Sequence, residues 1–600
     1  MEKIQFSRLI LVQANKYGNK TALSYRENVK DPWSHITWNS FANQVSTASK
    51  AFIELGVVEH QRIAQFSQNR PENLVVDFAL FSNRATVVPM YATSTVSQVA
   101  YIVNDAQIEV ILVGNQQQYN IALEVLEESD FLKKIIVFDH AVVFQAGDNT
   151  MYYSDFLELG KQSTKHFEVA QRQDEAKKSD LACILYTSGT TGNPKGVMLS
   201  HSCFNEAMRI NSLRLTSLSD SDTSLAFLPL SHVFERTWCY LCIYKGAHIY
   251  INAQPTEIQT SIKDVRPTLM CAVPRFWEKV YAGVKENIST FSPFKLGLVT
   301  WALAIGKLYN IDYLRVGKKP SVFLQFKYTL ADKLIFSKVK EKIGLENANM
   351  LPTAGAKLSD EIALFFRSIG VPIVYGYGLT ESTATVSCFE FNDFEIGTVG
   401  TIMPGVDVKI GNESEILLKG KTIFPGYYNH PKANEEAFTP DGWFRTGDAG
   451  YLKNGKLYLT ERIKDLFKTS NGKYIAPQEI ETRLGVDKYI EQVAVIGDER
   501  NYVTAIIAPS KAALEAYAVK NNIKFDGYAD LLKNSDIYSL IQTRILDLQK
   551  GMASYELIKK FVLIPKSFTI EAGELTNTLK IRRAVVMQKY RLEIEEMYKN

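Results

Sequence analysis

From the N-terminus to about residue 180, short apolar runs alternate with longer stretches of mixed polarity. Two of the clearest runs are residues 108–113 and 134–138, in which most residues are isoleucine, valine or leucine. Runs of this length and composition predict buried β-strands, and their alternation with helix-like stretches predicts α/β layering. The first part of the chain should therefore form a sheet covered by helices.

Residues 285–345 have a different texture, rich in lysine and aromatic residues. Phe323, Phe326, Leu330 and Leu334 follow a three-four-four spacing, which predicts an amphipathic helix. The ordinary expectation is that this apolar face packs on the core. The alternative is that it docks on a membrane surface or on a partner.

After residue 385 the pattern becomes strand-rich, with turn-forming pairs of residues between short apolar runs. These pairs begin at Pro404, Gly411, Pro425 and Asp441, and they predict a β-rich subdomain. A further small domain should follow. It would have a helix beginning near Pro477, strands at residues 492–496 and 503–508, and a final helix over residues 581–597.

Length and composition bound the possibilities. The 600 residues are too many for one hydrophobic core, and a net charge of +3 gives no global field for nucleic acid. Six scattered cysteines indicate a reducing compartment, so we expect a cytoplasmic protein. We identify no signal peptide, and the apolar run at residues 297–306 is too short to span a bilayer.

The most informative stretch is the loop that joins the apolar runs 181–185 and 197–199. It contains three glycines, four hydroxyl residues and Lys195, a combination that can surround a phosphate with backbone N–H groups, hydroxyls and a positive charge. The spacing does not match the Walker pattern, in which Gly-Lys is followed by Ser or Thr. The loop therefore predicts a phosphate site of another kind.

This loop resembles the phosphate-binding signature of the adenylate-forming superfamily, which includes acyl-CoA ligases, luciferases and peptide-synthetase adenylation domains. Four further motifs occur in that family's order, at residues 375–382, 443–448, 462–465 and 575–580. The resemblance implies a large, multi-subdomain α/β N-terminal domain with a β-rich subdomain, followed by a small, mobile α+β lid. We place the AMP-binding domain at residues 1–462 and the C-terminal lid at residues 463–600.

The resemblance also implies an ATP and AMP site. The residues that match are Thr187, Ser188, Gly189, Thr190, Thr191, Gly192, Lys195, Gly355, Gly376, Tyr377, Asp448 and Arg462. The glycines beside Tyr377 would leave both faces of its ring open to adenine, and Asp448 would accept the ribose hydroxyls. Thr380 would lie at the reacting phosphate, and Glu381 would hold Mg²⁺, because a carboxylate beside a polyphosphate needs an intervening cation.

Lys580 is the catalytic lysine that the resemblance implies, bridging the substrate carboxylate and the α-phosphate during adenylation. The family pivots its small domain at the position of Lys464, and rotation would bring the segment around Gly472 to the CoA tunnel. The chain departs from the family at Glu461, where glycine is usual. That departure affects the hinge conformation and no reacting group.

Residues 228–236 and 273–279 resemble the corresponding stretches of long-chain fatty-acyl-CoA ligases, and the insertion at 285–345 is typical of that branch. His232, Phe234 and Trp238 could line the acyl pocket, although aromatic residues at this spacing also suit a plain core. Cys239 and Cys242 form a C-x-x-C pair inside an apolar run. We interpret that pair as core packing.

The implied function is ATP-dependent activation of a long-chain fatty acid through an acyl-adenylate and transfer to CoA. Two alternatives stay open: delivery of the acyl group to a carrier protein, and a non-catalytic nucleotide-binding scaffold. The expected partners are fatty acid, ATP and CoA, with no nucleic acid. Peripheral contact with the inner face of a membrane and a homodimer are both compatible with the sequence.

Overall fold

The fold was analysed in a computed structural model that describes residues 6–144, 149–187, 194–390, 392–463, 466–470, 473–570, 572–576 and 580–599. The first part alternates helices and strands. In order these are α1 (Leu9–Tyr17), β1 (Thr21–Tyr25), β2 (Ser34–Thr37), α2 (Trp38–Glu54), β3 (Arg62–Phe66), α3 (Pro71–Ser82), β4 (Thr86–Met90), α4 (Val96–Ala106), β5 (Val110–Val113), α5 (Gln116–Glu128), β6 (Lys134–Val137), β7 (Thr150–Tyr152), α6 (Tyr153–Gln162), α7 (His166–Glu175), β8 (Leu181–Thr187) and β9 (Lys195–Ser200).

Seven of these strands form one sheet in the order β7-β6-β5-β3-β4-β8-β9. All neighbours are parallel except β8 and β9, which are antiparallel and flank the glycine-rich loop. Every residue of β4 and β5 is buried, because helices cover both faces of a parallel sheet. The predicted α/β layering and the predicted strands at 108–113 and 134–138 are confirmed.

The middle of the chain adds α8 (His201–Arg214), β10 (Thr223–Ala226), α9 (Val233–Lys245), β11 (His248–Ile251), α10 (Ile258–Val265), α11 (Pro274–Ser289), α12 (Pro293–Gly306), α13 (Val322–Ala331), α14 (Ser337–Ile343), β12 (Leu351–Thr353), α15 (Asp360–Ser368) and β13 (Ile373–Tyr377). Strands β10 and β11 join β1 and β2 in a sheet ordered β10-β11-β1-β2. One continuous apolar core extends from Phe6 to Leu457 and packs these layers together.

The insertion is helical, as predicted, but the predicted apolar face of its helix points to the surface and not to the core. Helices α12 and α13 pack against each other, and π-helical turns extend α12 over Lys307–Tyr313 and α13 over Asp332–Phe336. Leu324 and Ala331 are buried, whereas three of the four residues of the predicted face are exposed and the fourth, Leu334, is half-buried. The expectation that this face packs on the core is wrong, because periodicity identifies an apolar face without fixing its direction.

The strand-rich region comprises β14 (Ser387–Cys388), β15 (Thr401–Ile402), β16 (Val406–Ile410), β17 (Glu415–Gly420), α16 (Pro431–Ala437), β18 (Phe444–Lys453) and β19 (Lys456–Arg462). Together with β12 and β13 it forms an eight-stranded sheet in the order β12-β13-β14-β15-β19-β18-β17-β16. The predicted β-rich subdomain is confirmed. Its strands carry Tyr377, Asp448 and Arg462.

The C-terminal part comprises β20 (Phe467–Lys468), β21 (Tyr474–Ile475), α17 (Pro477–Leu484), β22 (Ile490–Ile496), β23 (Val503–Pro509), α18 (Lys511–Lys520), α19 (Tyr528–Leu531), α20 (Ser535–Leu548), β24 (Ile558–Leu563), α21 (Arg583–Lys589) and α22 (Arg591–Tyr598). Helices cover a three-stranded sheet ordered β22-β23-β24. The interior of this part consists of two apolar clusters that are distinct from the large core.

The helix at Pro477 and both predicted strands of this part are confirmed. The single final helix is wrong, because Tyr590 adopts φ −103° and ψ 29° and divides it into α21 and α22. Tyr590 and Lys589 both bond to the buried carboxylate of Glu574, which holds the break in place. Across the described residues, no helix combines the length and apolar character needed to cross a bilayer.

Candidate active site

The antiparallel pair β8 and β9 forms the base of the site. Thr187 is the last residue of β8 and pairs in register with Lys195, the first residue of β9. This pairing holds the two ends of the glycine-rich loop side by side at one edge of the seven-stranded sheet. Five predicted nucleotide-binding residues of the loop, Ser188, Gly189, Thr190, Thr191 and Gly192, lie outside the described residues. The same is true of Lys464 and Gly472.

Residues 424–428 join β9 to the rest of the site. Tyr428 donates its backbone N–H to Gly196, and Met198 donates to Gly426, so the segment lies along β9 like an added strand. The ring of Tyr427 lies 5.1 Å from the ammonium of Lys195. This contact is a cation–π interaction, which fixes the lysine beside the loop without neutralising its charge.

Glu381 lies against the same tyrosine. The Tyr427 hydroxyl donates a hydrogen bond of 2.9 Å to Glu381 Oε1, and the Phe424 amide donates to the Glu381 backbone carbonyl. Burial raises the pKa of Glu381 above its usual range, while the hydrogen bond from Tyr427 and the charge of Arg462 partly oppose that rise. The carboxylate is therefore desolvated and close to a cationic side chain.

The backbone beyond Glu381 is strained. Thr380–Ser382 form a single 3-10 turn, and the next two residues, Thr383 and Ala384, both have positive φ. Non-glycine residues adopt this conformation at a cost, and it persists only where surrounding contacts enforce it. Here the Thr383 hydroxyl donates to the carbonyl of Thr422, which ties the turn to the segment before Tyr427.

The residues around Glu381 suit a magnesium ion shared with a substrate. No group of three or more His, Cys, Asp or Glu side chains that could hold a metal occurs in the described parts of the chain. Mg²⁺ is commonly bound by one or two carboxylates together with substrate phosphates and water. A single desolvated carboxylate near a phosphate-binding loop fits that mode and does not fit an all-protein cage.

Tyr377, Asp448 and Arg462 form a connected polar group. The Tyr377 hydroxyl donates to Asp448 Oδ2 at 2.6 Å, and Arg462 Nε donates to Asp448 Oδ1 at 3.0 Å. Asp448 and Arg462 face each other across β18 and β19. Burial and the charge of Asp448 raise the pKa of Tyr377 well above its usual value. Tyr377 therefore stays protonated and remains a hydrogen-bond donor.

The glycines beside Tyr377 serve packing. A Cβ on Gly376 would lie 2.7 Å from the carbonyl oxygen of Ser387, and one on Gly378 would lie 2.3 Å from the backbone of Ala384. Tyr377 itself is buried. The expectation that these glycines open both faces of the ring is wrong, because they allow neighbouring backbone to approach. Gly355 follows β12 with φ +97°, a conformation that favours glycine.

A cavity beside this group combines apolar and hydroxyl-bearing side chains. It reaches from helices α8 and α9 to β12, β13 and β14, and Gly376 and Tyr377 belong to its wall. Phe234 and Trp238, predicted for the acyl pocket, are also in the wall, together with Leu215, Leu241, Val374 and Met403. The cavity thus adjoins the Tyr377–Asp448–Arg462 group.

His232 caps the N-terminus of α9, where its Nδ1 accepts a hydrogen bond from the Phe234 amide. Burial and the nearby charge of Lys580 lower its pKa to about 4. His232 is therefore neutral at physiological pH. Of the three residues predicted for the acyl pocket, Phe234 and Trp238 line this cavity, and His232 is not in its wall.

Lys580 is thus close enough to His232 for its charge to act there. Its backbone is held in a turn, in which the Lys580 N–H donates to Thr576 Oγ1 and the Thr576 N–H donates to the Lys580 carbonyl. The C-terminal part contacts the N-terminal part through Arg275, which donates to the Glu491 carbonyl, and through the Lys357–Glu479 ion pair. These contacts join the part of the chain that carries Lys580 to the N-terminal part.

Two groups of residues in the predicted site region serve the core. Arg236 is fully buried in α9 and forms an ion pair with Asp77 of α3, which also accepts bonds from Tyr240 and Gln65. Cys239 and Cys242 are buried free thiols whose pKa values burial raises far above normal. Core packing of the C-x-x-C pair is confirmed.

Sequence reasoning missed Tyr427, which contacts both Lys195 and Glu381. Its only signal was the adjoining Pro425-Gly426 pair, which we assigned to a turn. A tyrosine directly after such a turn, in a chain that already has a phosphate loop, could have been flagged as a lining residue. Its contacts are tertiary, however, and no spacing in the sequence encodes them.

The site can be compared with known proteins. Residues 10–428 match the AMP-binding enzyme family, and residues 464–600 match the AMP-binding enzyme C-terminal domain. Similar proteins include the long-chain-fatty-acid–CoA ligase FadD15 of Mycobacterium tuberculosis, 30% identical over 96% of this chain and 94% of that protein. Mouse long-chain-fatty-acid–CoA ligase 5 is 29% identical over 97% of this chain and 86% of its own length.

Solved structures agree on the fold. The adenylation domain of a carboxylate reductase from Mycobacterium chelonae aligns with a TM-score of 0.75 at 21% identity, covering 100% of this chain and 92% of that one. The corresponding domain from Segniliparus rugosus, in complex with AMP and a co-purified carboxylic acid, also gives 0.75, at 20% identity, with 100% and 94% covered. The family model, the full-length relatives and the shared fold lead to one conclusion: this chain belongs to the AMP-binding enzyme family.

Proposed function

We propose that this protein activates a long-chain fatty acid with ATP and transfers the acyl group to CoA, releasing AMP and pyrophosphate. One observation carries the proposal. The Tyr377–Asp448–Arg462 group adjoins an aromatic-walled cavity, and Arg462 is near enough to influence the carboxylate of Glu381. A nucleotide bound at that group would present its α-phosphate to a carboxylate whose alkyl chain occupies the cavity.

In the adenylation half, Asp448 would accept the ribose hydroxyls and Tyr377 would support the adenosine end. Lys195 and the loop from Thr187 would hold the β- and γ-phosphates, with Thr380 beside the reacting phosphorus. Glu381 would hold Mg²⁺, which supplies charge neutralisation for the phosphates when bound. Lys580 would donate to the oxygens that gain negative charge as the carboxylate attacks the α-phosphorus.

In the thioester half, the CoA thiol would attack the carbonyl of the acyl-adenylate and AMP would leave. No protein nucleophile is needed, which agrees with buried, high-pKa thiols at Cys239 and Cys242. We further propose that the lid, residues 463–600, rotates about Lys464 between the two halves and brings the Gly472 segment to the CoA tunnel. This division of the chain and its hinge stay predictions.

The cavity supports an acyl substrate. Phe234, Trp238 and Leu241 offer apolar contact, and His232 is neutral, so it would not attract the substrate carboxylate away from Lys580. The names of the full-length relatives, which specify long-chain fatty acids, favour the same class. The alternative acceptor, an acyl-carrier protein, has no observation in its favour here, and the experiment below separates it.

The test measures the two half-reactions separately. Pyrophosphate release and acyl-CoA formation are followed with acetate, octanoate and palmitate, for the wild type, Lys580→Ala and the control Lys566→Ala, which removes an exposed lysine of the same domain. We expect palmitate to be the preferred acid, and Lys580→Ala to lose at least about a hundredfold in adenylation, as for removal of a transition-state donor. The control should match the wild type.

Three results would contradict the proposal. Acyl-adenylate that accumulates with CoA present but moves to a carrier protein would make the protein a carrier-dependent ligase. Preference for acetate over palmitate would overturn the substrate class. Absence of turnover with every acid, while ATP still binds, would indicate a nucleotide-binding scaffold.

A further inference from the structure

The insertion carries an unusual surface on α13. Val322, Phe323, Phe326 and Leu330 fall within about a third of the helix circumference at 100° per residue. Phe323 and Phe326 are 67% and 65% exposed, and Val322 is 88% exposed. The opposite side of the same helix buries Leu324 and Ala331. Helix α13 is therefore apolar on both sides, and only one side has a partner within the described chain.

The neighbouring helix also exposes apolar side chains. Helix α12 packs against α13, and its first turn exposes Phe294 (83%) and Leu296 (45%). We call the exposed apolar residues of α13, Val322, Phe323, Phe326 and Leu330, the insertion face. Single exposed apolar residues are ordinary on a protein surface, but several large ones on one side of a helix mark an interaction site.

The charge around the insertion face has one dominant sign. Residues 293–338 contain eight lysines and arginines and two aspartates, a net charge of +6, whereas the whole chain carries +3. The remainder of the chain is therefore net negative. One of the two aspartates, Asp332, pairs with Lys340. Lys318 and Lys319 are exposed and Lys327 is half-buried, and among the described residues none of the three forms an ion pair within 4.0 Å.

Two lysines of the insertion lie close to aromatic rings. The ammonium of Lys327 lies 4.3 Å from the centre of the Phe323 ring, and that of Lys295 lies 5.9 Å from the Phe291 ring. Lysines beside aromatic rings can lay their alkyl stems along an apolar surface and direct their charges to its rim. The insertion face is thus an apolar surface with lysine side chains next to it.

We propose that the insertion face docks on the surface of an anionic lipid bilayer. Aromatic and aliphatic side chains would enter the boundary between headgroups and acyl chains, and the lysines would contact anionic headgroups. The +6 charge selects this occupant over a second copy of the chain, because two insertion faces brought together would place like charges side by side. This inference goes beyond the proposed function and does not depend on it.

The location of the insertion connects the bilayer to the site. Asn310 of the π-helical turn after α12 donates to the Ser368 carbonyl at the end of α15, and Arg315 donates to the Phe394 carbonyl. Helix α15 follows β12, whose Pro352 and Thr353 line the cavity. Docking would therefore hold the large domain, through the insertion and α15, at the phase in which long acyl chains dissolve.

The test uses the full-length protein and sedimentation with vesicles, with no substrate present. Vesicles of phosphatidylcholine alone are compared with equimolar phosphatidylcholine and phosphatidylglycerol. The apolar variant is Phe323→Ser with Phe326→Ser, and the charge variant is Lys318→Glu with Lys319→Glu. Their matched controls are Val519→Ser, which removes an exposed valine of α18 (73% exposed), and Lys520→Glu with Lys524→Glu.

We expect the wild type to bind the anionic vesicles, to release as salt rises, and to bind phosphatidylcholine alone weakly. Each insertion-face variant should lose at least about tenfold in affinity, from removed apolar area or from reversed charge at about 1 kcal/mol per residue. The controls should bind like the wild type. Thermal unfolding midpoints without lipid should be unchanged in all variants, which shows that they are folded.

Three outcomes would overturn the proposal. The wild type could fail to bind anionic vesicles even at low salt. The insertion-face variants could bind as tightly as the wild type, in which case another surface contacts the lipid. Alternatively, the wild type could form a dimer and not bind vesicles, while the apolar variant is a monomer. In that case the insertion face joins two copies of the chain.

Discussion

Helices α9 and α13 both break the rule that apolar residues lie inside and charged residues outside, but in opposite ways. Helix α9 buries Glu235 and Arg236 completely, whereas α13 exposes Phe323 and Phe326. In α9 the explanation lies within the chain, because Asp77 of α3 neutralises Arg236. In α13 no described residue covers the face, so its explanation must be sought outside the chain.

The difference teaches how to recognise a binding surface. A buried charge is costly unless it is paired and hydrogen-bonded, so the folded chain itself must supply the compensation. An exposed aromatic side chain has no such requirement for folding, and its presence points to contacts made after folding. Four substitutions test this distinction, beginning with the largest expected effect.

The first substitution is Arg236→Ala, which leaves Asp77 buried without its cation. Breaking a buried ion pair from one side costs about 3–5 kcal/mol, because the remaining charge stays desolvated. We expect a loss of this size in the stability of the large domain, measured by hydrogen exchange of α3 and α9 amides. Arg209→Ala is the matched control, since its pair with Glu206 is at the surface and worth at most about 1 kcal/mol. Equal effects would show that the buried pair carries no special stability.

The buried pair also shows how far sequence reasoning reaches. The order of the motifs located Asp448 and Arg462 at one nucleotide, and the structure pairs them directly across β18 and β19. Arg236 lies inside a stretch that we recognised by resemblance, yet its partner Asp77 is 159 residues away. Residue spacing along the chain cannot express a contact of that kind.

Helix α13 shows a second limit. The three-four-four spacing of Phe323, Phe326, Leu330 and Leu334 predicted a helix correctly, because that pattern follows from 3.6 residues per turn. It could not tell which side of the helix the core would occupy, since Leu324, Tyr328 and Ala331 form a second apolar side. Tyr427 was missed for a related reason, because its partners Lys195 and Glu381 come from distant strands and turns.

The second substitution, Leu324→Ala, removes the largest buried side chain from the inner side of α13. Truncating a buried leucine costs about 2–5 kcal/mol through lost transfer energy and a residual cavity. We expect faster amide exchange throughout α12 and α13, with little change in the C-terminal part. If α13 were held chiefly by its outer face, Leu324→Ala would have little effect and the comparison would fail.

The third substitution, Glu235→Gln, tests the buried acidic residue of α9 separately from the buried Arg236. Burial raises the pKa of Glu235 well above normal, and no cationic side chain opposes that rise. Below the ordinary glutamate pKa of about 4.3 both the folded and the unfolded wild type are protonated, and the variant should be about as stable as the wild type. As pH rises above that value the unfolded state ionises while the buried carboxyl keeps its proton, so the wild type should lose stability, up to the folded pKa, that the variant keeps. Thermal unfolding midpoints measured from acidic to alkaline pH would record this divergence, and the same pH dependence in both proteins would contradict it.

The fourth substitution, Phe326→Ala, should have the smallest effect on folding. The side chain is 65% exposed, so truncation removes little buried area, and surface changes of this kind usually stay within about 0.5 kcal/mol. Alanine also has the higher helix propensity, which offsets part of any loss. Exchange of the α12 and α13 amides without lipid should match the wild type, whereas protection of the same amides by anionic vesicles should fall. A loss of folding stability comparable with that of Leu324→Ala would mean that Phe326 packs within the protein. The unusual residues of α9 and of α13 would then both be explained by contacts inside the chain.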